Sequence, residues 1–409
     1  MRNLVVLGAG TAGTMVVNRL HRRLPRDWRI TVVDRSDVHH YQPGYLFLPF
    51  GAYRPEQVAK PSRPLLPQGV DVICADIDQV MPELREVRLA GGRRLPYDRL
   101  VIATGVEPRP DQTPGMLDGG QWRRSIFDFY TYDGALQLAS ALRDFRGGRL
   151  VTHIVDMPIK CPVAPLEFTF LADAHLRRRG IRDRTDLVYA TPLPGAFTQP
   201  VATRRLGTML EHRGVTVEPD FLVERVDGTT LVSYDDRRIP FDLLVTVPLN
   251  MGAEFVARSG LGDELNLVPV DRHTLLSRSH PDIFALGDAN DIPTSKAGSV
   301  AHFSVDVFVG NFLQHIAGRP MTGRFDGHAN CFVESGDGKG LLIDFNYDTQ
   351  PLPGTYPLPG VGPFRLLEER AVNHWGKLAF RWAYWHLLLP GRPIPLPAHM
   401  SMAGKHTEE

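Results

Sequence analysis

Residues 3–7, Asn-Leu-Val-Val-Leu, read as a buried strand, and a glycine-rich turn follows at once. Apolar residues then recur at helical spacing as far as about Arg23. Residues 30–33, Ile-Thr-Val-Val, form a second strand that ends at Asp34. Strand, turn, helix and strand in that order predict a βαβ opening with parallel strands. Residues 35–68 are rich in Pro, Tyr and Phe and predict an extended excursion. Residues 70–106 alternate as strands and close on Val101-Ile-Ala-Thr104-Gly105.

A second unit begins near residue 109. Its pattern predicts a helix at about 133–145, a strand at 150–155 and a helix at 165–179 with Gly180 as its C-cap. Strands follow at 186–190 and 243–247. The chain then returns to the first unit through the strand 283–286, the pair Gly287-Asp288 and a helix over about 299–317. The expected fold class is α/β, with two Rossmann-like domains and a C-terminal region. The boundaries are 1–108 with 249–320 for the first domain, 109–248 for the second and 321–409 for the rest.

Composition narrows the function. Lys+Arg and Asp+Glu stand at 46 each, and no basic tract carries interleaved aromatics, so no nucleic-acid partner is expected. The N-terminal apolar run is too short for a signal h-region, and export is not expected. The uncharged stretch 382–390 falls far short of the ~20 residues a spanning helix needs. Three cysteines cannot make a structural disulfide framework, so an oxidisable pair reads as catalytic.

Gly8-x-Gly10-x-x-Gly13 lies between strand and helix. The first glycine permits the turn, the second lets backbone approach a pyrophosphate and the third lets helix and strand pack. Asp34 stands where an acid grips a ribose hydroxyl, with Arg35 beside it. Thr104-Gly105 and Gly287-Asp288 resemble the second and third fingerprints of two-dinucleotide-domain flavoproteins. That resemblance implies FAD, with Asp288 on the ribityl chain; Asp288 can equally cap a helix. In the second domain the matching turn, Val155 to Pro162, contains no glycine, and side chains and prolines would obstruct a pyrophosphate. No tight nicotinamide-nucleotide site is expected there.

Cys161 stands just before a helix, where the dipole and Lys160 would favour its thiolate. Cys331 lies far off in Asn330-Cys-Phe-Val-Glu334, and Cys74 alternates like a strand interior and reads as core packing. Cys161-Pro-x-x-Pro-x-Glu167 after a glycine-less strand, with the later Asn-Cys-Phe, resembles sulfide:quinone oxidoreductases and the flavoprotein subunit of flavocytochrome c sulfide dehydrogenase. The similarity spans about residues 1–390.

The resemblance implies that Cys331 lies nearest the flavin and that Cys161 carries sulfane sulfur. Glu167 would handle protons, although a first-turn acid also suits the helix dipole. Lys296 would sit at the flavin pyrimidine edge, unless it is a solvated loop lysine. Phe332, Lys377 and Phe380 would line a quinone pocket, and no metal is implied.

Two departures stand out. No cysteine occupies the neighbourhood Ser125-Ile-Phe127, about 30 residues before Cys161, where many relatives carry a third. None lies between residues 35 and 60, so FAD is expected to be non-covalent. Residues 41–47 resemble a segment over the flavin in some subgroups.

From Phe364 to Leu389 apolar residues recur at helical spacing among Arg370, Lys377 and Arg381, with dense Trp and Tyr. The pattern suits a helix at a membrane interface or one closing the core. The resemblance favours the interface, hence a peripheral position on the cytoplasmic face of the cell membrane. Sulfide and quinone are the implied substrates, and a homo-oligomer is the expected assembly. The alternatives are a sulfide dehydrogenase with a cytochrome acceptor, a type II NADH dehydrogenase and a non-catalytic flavoprotein sensor.

Overall fold

The structure is a computed structural model that describes residues 1–394 and 396–406. Pro395 and residues 407–409, part of the expected C-terminal region, lie outside the described residues.

Two five-stranded sheets organise the molecule. The first runs Ile283–Ala285, Arg99–Ile102, Arg2–Leu7, Trp28–Asp34 and Asp71–Cys74 in spatial order, all parallel. Its central strand is buried on both faces, which is why it reads as a continuous apolar run. The helices Thr11–Leu20 and Gly298–Ile316 belong to this unit and pack on each other.

The second sheet runs Ile126–Phe127, Leu243–Val247, Gly148–Ile154, Thr185–Ala190 and Thr216–Glu218, again all parallel. Helix Ala164–Arg178 packs on its middle strands and ends at Gly180, which takes φ +66 as a left-handed cap requires. An antiparallel pair, Val106–Arg109 with Leu249–Gly252, marks both crossings between the units. The chain does return to the first sheet, as the apolar pattern predicts.

The C-terminal region contains a four-stranded sheet in the order Ala329–Gly336, Lys339–Phe345, Gly362–Leu366 and Gly354–Leu358. Helix Ala371–Ala383 lies against its first two strands and continues into a single wider turn, Tyr384–Leu388. The helical stretch expected from Phe364 therefore starts seven residues later. Residues 362–366 are a strand instead, because they close a hairpin with Gly354–Leu358.

The cluster of Trp and Tyr divides in two. Trp375 and Trp382 are 65% and 59% exposed, whereas Tyr384 and Trp385 are buried in the body of the protein. Among the described residues no helix is long and apolar enough to cross a membrane. Cys74 is exposed at the end of the edge strand Asp71–Cys74, contrary to the core position expected. Strand alternation there could not reveal that the strand has a neighbour on one side only.

Candidate active site

The glycine loop behaves as its spacing requires. Gly8 takes φ +98 and abuts the Ala103 carbonyl, and a Cβ on Gly13 would run into the Gly8 carbonyl oxygen. A Cβ on Gly10 would meet nothing within 4 Å. That open space lies at the N-terminus of helix Thr11–Leu20, where backbone N–H groups and the helix dipole favour phosphate.

Asp34 braces this loop. Its Oδ2 accepts from the Ala9 N–H at 2.6 Å and its Oδ1 from the Ser36 N–H at 2.9 Å. Arg35 pairs with Glu107 at the surface. The Thr104 hydroxyl is buried without a partner, and Gly105 and Gly287 take φ +69 and +64 at the carboxyl ends of neighbouring strands. An open cradle for a pyrophosphate, an orphaned hydroxyl and a carboxylate between two lysines fit a flavin dinucleotide.

That carboxylate is Asp288. Burial raises its pKa, and Lys296 and Lys160 oppose the rise. Lys296 is no solvated loop lysine. It is 7% exposed, and its ammonium donates to the Asp288 and Asn290 carbonyls at 2.9 and 2.8 Å.

The cysteine turn is tied to this cradle by backbone. The Cys161 N–H donates to the Lys296 carbonyl at 2.7 Å. The Cys161 carbonyl accepts from the Ala164 N–H at 2.9 Å and from the Tyr130 hydroxyl at 3.1 Å. These bonds hold Cys161 at φ +46, a left-handed conformation costly for a residue with a Cβ. Cys331 is on strand Ala329–Gly336, which packs on helix Ala164–Arg178. Both thiols are free.

Glu167, one turn into that helix, is fully buried. Its Oε1 accepts from the Glu334 backbone N–H at 2.6 Å and from the Lys377 ammonium, and its Oε2 has no partner. Lys377 also donates to the Phe332 carbonyl at 3.1 Å. Burial raises the Glu167 pKa against the pull of Lys377. Burial lowers that of Lys377, but Glu167, Cys161 and Glu334 together raise it. The carboxylate is thus primed to accept a proton beside a lysine that keeps its own.

The expected thiolate at Cys161 is corrected here. Burial and then Glu167 push both thiols up, Cys331 to about 12. Lys160 does not offset this, because its ammonium is spent on the Gln42 side chain and the Tyr130 carbonyl at 3.0 and 3.3 Å. Lys377 is the cation that pulls both thiols back down.

Phe332 and Lys377 are joined by the bond from the Lys377 ammonium to the Phe332 carbonyl, and Phe380 lies one turn beyond Lys377 on the same helix. The Phe332 ring meets Phe364 edge-on at 5.1 Å and lies over Gly376, where a Cβ would strike it. Phe380 lies 6.4 Å from the buried Tyr41 ring.

Tyr130, Glu334 and His374 were given no role by sequence reasoning, and Tyr41 was marked only as part of the segment 41–47. Only Glu334, three residues after Cys331, and His374, three before Lys377, had a spacing that could have pointed to them.

Two linked Rossmann-like domains, the first with a glycine cradle, have the fold of a class of flavin-dependent oxidoreductases. A family model described as pyridine nucleotide-disulphide oxidoreductase matches residues 2–304, and the chain belongs to that family of oxidoreductases. The mitochondrial sulfide:quinone oxidoreductase of Dictyostelium discoideum is 25% identical over 399 residues, covering 95% of this chain and 86% of its own. Its Schizosaccharomyces pombe counterpart is 27% identical over 421 residues, covering 94% and 89%. The solved sulfide:quinone oxidoreductase of Aquifex aeolicus superposes with a TM-score of 0.82 at 19% identity, over 96% of this chain and 92% of that one, and so shares the fold.

Proposed function

We propose that this enzyme oxidises sulfide at the Cys161–Cys331 pair and delivers the electrons to a quinone through non-covalent FAD. One observation carries the reading. The helix that bears Glu167, bonded to Lys377, packs on the strand that bears Cys331, and Cys161 is bonded directly to the dinucleotide cradle.

Gly8, Gly10 and Gly13 would seat the pyrophosphate, Asp34 and Arg35 the adenosine end, Thr104, Gly105, Gly287 and Asp288 the ribityl region, and Lys296 the flavin ring. Bound FAD would supply a two-electron acceptor beside the thiols. The chain itself does the sulfur chemistry. Hydrosulfide opens the Cys161–Cys331 disulfide, leaving a persulfide on Cys161 and a thiolate on Cys331. Glu167 takes the persulfide proton, and Lys377 stabilises the thiolate. Phe332 and Phe380 offer flat apolar faces for a quinone ring, and Lys377, bonded to the Phe332 carbonyl, a cation near it.

Four exposed apolar residues support a membrane surface as the place where quinone is met. Trp375 and Trp382 stand seven residues apart on one helix face. Leu358 and Val361, 57% and 75% exposed, sit at the tip of the adjacent hairpin. Such side chains suit headgroup depth. The turn after strand Gly148–Ile154, without glycine, weighs against NADH as donor.

The test is anaerobic and spectroscopic. Sulfide is expected to bleach the visible flavin bands and NADH to leave them. Cys161→Ala and Cys331→Ala each abolish the sulfide response, by at least about a hundredfold in rate, while the flavin stays bound. Bleaching by NADH alone, or a cysteine variant that reacts at the native rate, contradicts the proposal.

A further inference from the structure

We propose that Glu334 and His374 carry protons between Glu167 and a solvent-open cavity beside the C-terminal helix, making this the proton exit of the cysteine pair. The inference rests on the reading of Cys161 and Cys331 as the reacting pair.

The argument begins at Glu167, which is 0% exposed and cannot release a proton to water directly. When hydrosulfide opens the disulfide, one S–S bond breaks and another forms on Cys161. The sulfide sulfur is oxidised to sulfane sulfur and the disulfide is reduced. The S–H proton of the persulfide passes to Glu167 and must leave before the next turnover.

The first step outward passes Lys377. Its ammonium and the Glu334 backbone N–H both donate to Glu167 Oε1, which brings the residue bearing the second carboxylate next to the first. The proton leaving Glu167 crosses to the Glu334 carboxylate through cavity water beside the Lys377 ammonium, which keeps its own protons. The Glu334 side chain is 1% exposed and receives the His374 Nδ1 on both oxygens, at 3.0 and 2.9 Å. His374 lies one turn before Lys377 on the same helix and is itself partly exposed.

Glu334 and His374 both form part of the wall of a cavity of about 430 Å³. Tyr53 and Arg381 line the same space, and the Tyr53 hydroxyl and Arg381 Nη1 are buried without a protein partner. Polar groups with unmet hydrogen bonds in a solvent-open cavity hold water, and this volume has room for roughly ten molecules. The other charges facing the cavity, Arg178 and Asp337, pair with each other at 3.6 Å. The histidine–carboxylate pair is therefore the proton-exchanging group of the wall. A buried carboxylate, lysine and carboxylate set close together have little value as stability devices, since each buried charge costs desolvation.

The experiment follows sulfide-driven reduction of a soluble quinone by the holoenzyme over many turnovers. His374→Ala is expected to slow it by about a hundredfold, the usual worth of a positioned proton carrier, and imidazole entering the cavity restores the rate in proportion to its concentration. Glu334→Gln slows it similarly and is not rescued by imidazole. In His374→Ala the pH profile of iodoacetamide labelling of the reduced cysteines stays as in the native protein, because a carrier does not set thiol reactivity. A His374→Ala variant at the native rate, one slowed but not rescued, or one with a shifted labelling profile overturns the relay. Native protein that sulfide fails to bleach overturns the reading of the cysteine pair, and the relay falls with it.

Discussion

Cys161 shows how much one position depends on its surroundings. Its sequence context, a lysine before it and a helix after it, argues for a low thiol pKa. Burial reverses this, and the opposing charge comes from Lys377, more than two hundred residues away in sequence. Lys377→Met should therefore raise both thiols further. Loss of a cation at that range cuts the thiolate fraction about tenfold or more, and iodoacetamide labelling of the reduced protein at neutral pH slows by the same factor. Faster labelling would mean that Lys377 does not act on the thiols. The same variant leaves Glu167 buried without its cation, a change expected to cost about 3 kcal/mol in a denaturant titration. Glu167→Gln/Lys377→Met together should cost less than Lys377→Met alone, because no unpaired charge is left behind.

The C-terminal helix joins two surfaces. Its outer face carries Trp375 and Trp382, and its far end is anchored in the first domain. The Tyr384 hydroxyl bonds Thr11 Oγ1 at 2.8 Å and His39 Nε2 at 2.7 Å, and His39 Nδ1 reaches the Ala9 carbonyl at 2.9 Å. Asn18 donates to the Leu389 carbonyl at 2.7 Å. The helix end is thus bonded to the loop that would seat a pyrophosphate. Trp375→Ser/Trp382→Ser should weaken binding to lipid vesicles by about tenfold or more, since each exposed indole contributes apolar area to the contact. Bleaching by sulfide in solution should be unchanged, because neither indole reaches the cysteines. Unaltered vesicle binding would place the membrane contact elsewhere.

The molecule is closed by its own tail. Lys405 returns to pair with Gly354 and buries its ammonium against Asp344 at 2.5 Å. His328 Nε2 meets the other oxygen of Asp344 at 2.8 Å, on the strand next to the one that bears Cys331. Burial works to raise the Asp344 pKa, but His328 and Lys405 outweigh it and hold the carboxyl below the usual range. The contribution to stability is therefore present above the unfolded carboxyl value of about 3.9 and is lost as pH falls through the folded value. Thermal unfolding should drop more steeply below about pH 4 in the native protein than in Asp344→Asn. Parallel curves for the two would show that Asp344 is not the group responsible.

Cys161 and Cys331 were singled out by resemblance to a known family, whereas periodicity and glycine spacing by themselves determined the two parallel sheets, the return of the chain to the first sheet and the Gly8–Gly13 cradle. Those are local properties: a buried parallel strand is apolar along its whole length, and a phosphate turn needs glycine where a Cβ would collide. The tertiary structure alone decided that Cys74 is exposed, that residues 362–366 are a strand and that Tyr384 and Trp385 turn inward while Trp375 and Trp382 face out. It also paired Glu167 with Lys377 and Glu334 with His374, the latter two on the wall of a cavity. No pattern along the chain encodes such pairings, because burial and charge act through space between segments hundreds of residues apart.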